Sequence, residues 1–420
     1  MKTVVLPGFV LFSILYSLPP VLHAQERGAP WTRHTIDDSS RGADGVRLAD
    51  ANGDGLPDIV TGWEEGGVIR LYLHPGHTRA TEKWPAVTVG QVRSPEDAVF
   101  VDLDGDGALD VVSSCEGKVQ SLFVHWAPKD KGKYLDSAAW QTKAIPVSQG
   151  KTRWMFCVPV QVDGKNGVDL IVGSKKPNAR IAWLEAPANA RDLDAWTCHK
   201  IYDADWIMSI RAVDMDGDGD LDVLTSDRKG EGRGARWLEN PGPGPVQSQP
   251  WRDHLISSAG RQIMFLTVAD LDGDALADVV TAVKPKQVVF SRRKGADGTS
   301  WEDHAFSLPE NTGTSKGVAV GDIDKDGKPD VVASCEHASK GTSGVFWMSY
   351  AESPTDPAWR AHEISGPEGV KFDRIELLDL DGDGDLDVLT CEERDNLGVF
   401  WYENPTVLAL GFPLPAREEE

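Results

Sequence analysis

Carboxylates recur along this chain at a spacing that can hold a hard cation. The first run reads Asp50-Ala-Asn-Gly-Asp-Gly-Leu-Pro-Asp58, with oxygen-bearing side chains Asp50, Asn52, Asp54 and Asp58 at positions one, three, five and nine. Five further runs repeat it: Asp102, Asp104, Asp106, Asp110; Asp214, Asp216, Asp218, Asp222; Asp270, Asp272, Asp274, Asp278; Asp322, Asp324, Asp326, Asp330; and Asp379, Asp381, Asp383, Asp387. In a tight loop these side chains converge on one point, and a backbone carbonyl at position seven can complete the shell. Glycine at position six supplies a backbone turn that other residues resist. A flexible, all-oxygen cage suits calcium better than magnesium, which demands strict octahedral geometry, or zinc, which prefers nitrogen and sulfur. The six sets therefore predict up to six structural calcium sites. An EF-hand would need a Glu at the twelfth position and flanking helices, whereas these loops run into β-like segments.

Two runs depart from the pattern. Gln161, Asp163, Lys165 and Asp169 leave only two carboxylates, and Lys165 offers an ammonium where an ion would sit. Ala275 replaces the position-six glycine of the fifth run, which weakens that site without removing it.

The elements that position these loops are legible in the period. Successive ninth-position Asp residues lie 52, 59, 53, 56, 52 and 57 residues apart, and each precedes an apolar pair such as Val111-Val112 or Val279-Val280. Two other signatures share the period. One is a strand opening in Trp, often as Trp-x-x-His, at Trp31, Trp84, Trp140, Trp196, Trp251, Trp301 and Trp359. The other is an aromatic strand ending in Glu-Asn-Pro or similar, as at Trp237 to Pro241 and Trp401 to Pro405. Four short strands plus turns fill a period in the fifties, as in a propeller blade. The chain opens on a Trp-x-x-His strand and closes on an aromatic strand, so the opening strand can complete the last blade. The expectation is an all-β, seven-bladed β-propeller of four-stranded antiparallel blades, closed by the N-terminal strand and spanning residues 31–405.

These repeats resemble the FG-GAP/VCBS family, whose integrin-like blades carry Asp-rich calcium loops. The resemblance covers about residues 31–405. It implies a scaffold and calcium ligation, and it does not imply an activity.

Composition narrows the partners. The chain has 420 residues and a formal charge of -23, which disfavours nucleic acid because phosphate binding needs a basic surface. Residues 1–24 read as a cleaved signal peptide: Lys2, an apolar run from Val4 to Leu18, then Leu22-His23-Ala24 before the cleavage point. Residues 25–30 form a short leader and residues 406–420 a C-terminal tail. The apolar run is too short and Pro-interrupted for a good membrane span, so the mature chain is expected to be secreted or periplasmic with no transmembrane segment. Five cysteines, Cys115, Cys157, Cys198, Cys335 and Cys391, show no metal-type pairing; most read as buried thiols, with a disulfide left open.

Strand order places a partner on the face opposite the Asp loops. Six residues past each ninth-position Asp stands a charge: Glu64, Glu116, Lys175, Arg228, Lys284, Glu336 and Glu393. Six residues before each first position stand Asp44, Glu96, Met155, Met208, Met264, Lys316 and Asp373. Blades three to five thus present bases and methionines, and the others mostly carboxylates. Of 15 tryptophans, Trp63, Trp126, Trp154 and Trp206 fall outside the repeat signatures. Trp63, Trp154 and Trp206 are expected in loops of this face, where aromatic rings beside charges would suit a sugar. The histidines of the Trp strands read as structural. His337 stands in a loop of this face and, with Lys175, forms the speculative catalytic pair. Binding of a glycan or an extracellular protein at the channel mouth is favoured over catalysis; the alternative is a carbohydrate-active lyase or dehydratase that uses a mouth base and a Lys or Arg.

Overall fold

The computed structural model describes residues 28–406, and the expected signal peptide and almost all of the tail lie outside them. Twenty-eight strands form seven four-stranded sheets. Blade one shows the plan: inner strand Ala43–Ala49, then Asp58–Trp63, Val68–Tyr72 and outer strand Ala86–Gln91, all antiparallel neighbours. In the seventh blade, Glu376–Leu378, Asp387–Glu392 and Gly398–Glu403 are completed by Thr32–Asp37 from the start of the chain. That closure leaves no unpaired edge at the seam of the ring. None of the described helices is long and apolar enough to cross a membrane.

The core is a ring of separate clusters. Val99 and Val112 of blade two pack with Trp154 and Leu170 of blade three, and the other clusters likewise bridge neighbouring blades. Second strands are covered on both faces, so Asp58–Trp63 and Asp222–Asp227 are buried throughout. This is why they read as apolar runs instead of alternating strands.

The two aromatic signatures recur together because they meet. His254 stacks on Trp237 with ring centroids 4.1 Å apart, and its Nε2 lies 2.6 Å from Glu239 Oε2 of the Glu-Asn-Pro run. His34 with Trp401 and Glu403, and His199 with Trp183 and Glu185, repeat the arrangement. His362 keeps the stack, 3.7 Å from the Trp347 centroid, but hydrogen-bonds Ser349. These histidines are structural. All five cysteines are free thiols, four of them buried.

The ninth-position Asp has its own task in the fold. Asp110 accepts hydrogen bonds from the Leu103 amide at 3.2 Å and the Ala127 amide at 2.8 Å. Loop position two and the end of the third strand are thereby tied to one buried carboxylate. Asp58, Asp169, Asp222, Asp278 and Asp387 make the same pair of bonds, and Asp330 makes the first of them. The residue donating from position two is a buried apolar plug in every blade, from Ala51 to Leu380. Blade three lacks most of the loop's other carboxylates yet keeps this clamp. Asp169→Ala strands two buried amides and is expected to cost about 2–4 kcal/mol, read as a lower urea midpoint at an unchanged slope. An unchanged midpoint would refute the clamp.

Candidate functional site

Two sites follow from this frame, one at each end of the inner strands. At the loop end, each first-position Asp gathers the amides of its own loop. Asp50 accepts from Gly53 and Asp54 through Oδ1 and from Gly55 through Oδ2, at 2.7–3.0 Å. Fifth-position residues accept from position seven, as Asp54 does from Leu56 at 2.9 Å. These bonds fold the loop so that its carboxylates converge. Ligand oxygens of Asp102, Asp104 and Asp110 lie within 4.8 Å of one another, as do those of Asp214, Asp216 and Asp218, and of Asp270, Asp272 and Asp278. Asp322 Oδ1 at a first position and Asp220 Oδ1 at a seventh position are buried with no hydrogen-bond partner. Burial and neighbouring carboxylates push Asp220 up to about 6 and Asp330 up to about 7. Such crowded, partly orphaned oxygens have the chemistry that could hold a hard cation.

Blade three differs as its sequence suggests. Lys165 Nζ sits 2.6 Å from Asp163 Oδ2, so the remaining third-position carboxylate already has a cation. Ala275 holds φ of 67°, the left-handed conformation that glycine adopts at the equivalent position elsewhere, such as 87° at Gly107. Arg191 and Arg292 reach the third-position carboxylates Asp104 and Asp272 from outside their loops.

At the opposite end, the charges six residues either side of each loop come together. A mouth cavity of 260 Å³ is lined by Asp44, Glu64, Glu96, Glu116, Glu336 and Asp373 and by Lys175, Arg228, Lys316 and Lys371. Met155, Met208 and Met264 supply the apolar arc. Lys284 and Glu393 join by pairing, Lys284 with Glu336 and Lys371 with Glu393. Lys175 Nζ is 3.1 Å from Glu96 and also contacts Glu116, so an ion pair bridges blades two and three. Lys316 Nζ is 2.9 Å from Asp373. The pattern of spacing did not disclose Phe156, Phe265 or Lys371, which also line the cavity. The two phenylalanines each follow a mouth methionine directly, which is the signal that could have found them.

Three expected contributors are corrected. Trp63 and Trp154 are fully buried. Trp63 Nε1 donates to Tyr72 Oη at 2.9 Å and Trp154 Nε1 to the Ser148 carbonyl at 3.0 Å, so both fill the core between blades and neither can stack on a ligand. They lie in or beside second and first strands whose ends are covered, where a large ring gains more from burial than from exposure. His337 is largely exposed, with φ of 60° and Nδ1 3.1 Å from Thr314 Oγ1, and it stands outside the lining of the mouth cavity. Its partner in the proposed catalytic pair, Lys175, lies inside, held by two carboxylates.

Trp206 is where the sequence places it. Its ring lies under Lys229 Nζ at 4.3 Å, Arg228 Cζ at 4.8 Å and Lys175 Nζ at 4.9 Å. It lines both the mouth cavity and an adjoining groove of 430 Å³ that adds Arg153, Lys176 and Asp205. Across the mouth, Asp44, Glu64 and Glu96 bring carboxylate oxygens within 4.8 Å of one another. Burial first, then repulsion from Glu116 and Glu393, pushes Glu64 up to about 7; burial pushes Glu96 up to about 8 against the pull of Lys175.

Together these features define a seven-bladed β-propeller with Asp loops at one end and a charged mouth at the other. Residues 50–113 and 270–333 match the model of the FG-GAP-like repeat family, so the chain carries FG-GAP-like repeats in these two regions. Each match runs from one Asp loop to the second strand of the next blade. No curated protein matches the sequence. Among solved structures, the BBS1N chain from its complex with ARL6DN shares the fold at a TM-score of 0.51 and 11% identity, over 93% of this chain and 99% of that one. A lectin of Agrocybe aegerita described for recognition of non-reducing terminal N-acetylglucosamine overlaps at a TM-score of 0.43 and 15% identity, over 77% of this chain and 80% of that one, which is too loose to inform the reading.

The mouth carboxyls make a pH prediction. A carboxyl raised in the folded state binds more protons there than when unfolded, so its contribution is full below the ordinary Glu range and lost as pH rises through about 7. Glu64→Gln is expected to flatten the fall in melting temperature between about pH 5 and about pH 8 relative to wild type. Parallel profiles for the two proteins would overturn this account of Glu64.

Proposed function

We propose that the chain is an exported, calcium-stabilised propeller that binds an acidic glycan at the mouth opposite the Asp loops. The observation that carries the ligand class is Trp206 with Lys175, Arg228 and Lys229 gathered over its ring. An aromatic face offers apolar contact to the C–H surface of a sugar, and the surrounding cations offer charge-assisted hydrogen bonds to a carboxylate or sulfate substituent. The groove beside it is large enough for about one or two sugar rings. An extracellular protein presenting an acidic segment would use the same surface and is an outcome of the test. Export rests on the N-terminal signal pattern in residues 1–24. Calcium rests on the chemistry of the loops: all-oxygen donors, brought within 4.8 Å of one another in the loops of Asp102, Asp214 and Asp270, with buried oxygens left over at Asp220 and Asp322. Bound there, the ions would brace the loops; no open coordination position for chemistry is implied.

A lyase reading draws on one specific observation, the raised carboxyl of Glu96 held against Lys175, with the raised Glu64 next to it. A neutral carboxyl and a fixed ammonium are parts that elimination beside a uronate carboxylate could use.

Titration of acidic oligosaccharides by calorimetry separates these readings. Trp206→Ala is expected to weaken binding at least about tenfold with the fold intact, in keeping with about 1–2 kcal/mol for the aromatic contact. Trp206→Ala binding as tightly as wild type would remove the mouth assignment, and formation of unsaturated product by ultraviolet absorbance would replace binding with catalysis. Calcium is checked separately. Chelation is expected to lower the melting temperature by several degrees, about 2–4 °C or more, because ions that bind only the folded state stabilise it. A melting curve indifferent to chelator would remove the calcium assignment.

A further inference from the structure

The mouth loops of blade four hang on one buried carboxylate. The fifth residue past each ninth-position Asp is, in blade order, Trp63, Cys115, Ser174, Asp227, Val283, Cys335 and Glu392. All seven are buried, near the point where the second strand delivers the chain to the mouth. Five blades place an apolar or small side chain there. A carboxylate in the same position is unfavourable unless hydrogen bonds compensate it, so Asp227 and Glu392 call for a reason.

Their partners supply one. Asp227 is 1% exposed; its Oδ2 accepts the Asp205 amide at 2.9 Å, and its Oδ1 accepts the amides of Trp206 at 2.8 Å and Lys229 at 3.3 Å. The Trp206 carbonyl in turn accepts the Arg228 amide at 2.8 Å. An isolated β-bridge also joins Trp206 to Lys175 of blade three. Both peptide groups of Trp206 are therefore fixed, and the backbones of all three cations beside its ring are tied to the same turn. The ring has no anchor of its own, because Trp206 Nε1 is buried without a hydrogen-bond partner. Glu392 has the same part in blade seven, where it takes the amides of Lys371 at 3.0 Å and Arg394 at 2.8 Å, with those of Val370, Asp395 and Leu397. Burial pushes the Asp227 carboxyl above the ordinary Asp range despite its amides, so its ionisation works against the fold.

We propose that Asp227 is a positioning residue for ligand binding at the mouth, fixing the backbone that carries Trp206, Arg228 and Lys229 before any ligand arrives. This role rests on the mouth being the binding site. Asp227 itself lines neither the mouth cavity nor the adjoining groove. Loops ordered in advance lose less freedom on binding, so the residue raises affinity through Trp206 without touching the ligand.

Asp227→Val installs the residue that blade five has at this register, Val283. Amide hydrogen exchange and calorimetric affinity for oligogalacturonate and for a heparin-derived tetrasaccharide are compared with wild type. Faster exchange confined to the segments around Trp206 and Lys229 is expected, with affinity lower by at least about tenfold. Asp227→Asn keeps one acceptor oxygen and is expected to fall between the two. Asp227→Val combined with Trp206→Ala is expected to bind no more weakly than Trp206→Ala alone, since the pair acts as one unit. A merely structural residue would lower the melting temperature and add its effect to that of Trp206→Ala. Unchanged exchange, affinity equal to wild type, or additive losses would each overturn the role. Should Asp227→Val not fold, Asp227→Asn carries the same measurements. Wild type that binds neither sugar removes the mouth assignment, and the role of Asp227 with it.

Discussion

In every blade one buried carboxylate, at the ninth loop position, takes the amide of loop position two, and in six of them it also takes the amide at the end of the third strand. Buried amides must be paired, and a hairpin end where two strands and a loop diverge has no ladder partner to offer them. The Asp closes that gap and draws the apolar plug at position two into the core. Loop shape, strand register and the convergence of the remaining carboxylates all follow from it. Blade three makes the point: Gln161 and Lys165 replace ligand carboxylates, yet Asp169 and its two amides stay.

The same constraint explains why the two ends of the ring differ. At the loop end, carboxylates crowd because each loop carries several within a few ångströms, and little but solvent and an occasional Arg or Lys offsets them. At the mouth, charges from different blades meet, and most are balanced: Lys175 with Glu96 and Glu116, Lys316 with Asp373, Lys371 with Glu393. What stays unbalanced there is local. Among the described residues Glu64 makes no ion pair, and neither does Lys229 beside Trp206. A ligand that carries negative charge and an apolar face would meet the second feature and avoid the first.

Residue spacing determined the fold. The Asp runs, the Trp-x-x-His strands and the aromatic strands repeat with one period, and each repeat is a complete blade because a four-stranded sheet buries its own hydrogen bonds. The phase of the repeat also determined that the first strand closes the seventh blade. Spacing relative to the loops located the mouth charges as well, since residues a fixed number of steps along an extended strand lie at a fixed height in the ring. Tertiary structure decided the rest. Trp63 and Trp154 have the same type and register as a binding residue, but contacts from the adjacent blade bury them, and only Trp206 is left beside the mouth. The pairing of Lys175 across blades was equally hidden. It depends on which side chains distant strands bring to the axis, and a one-dimensional pattern records height along a strand but not who stands opposite.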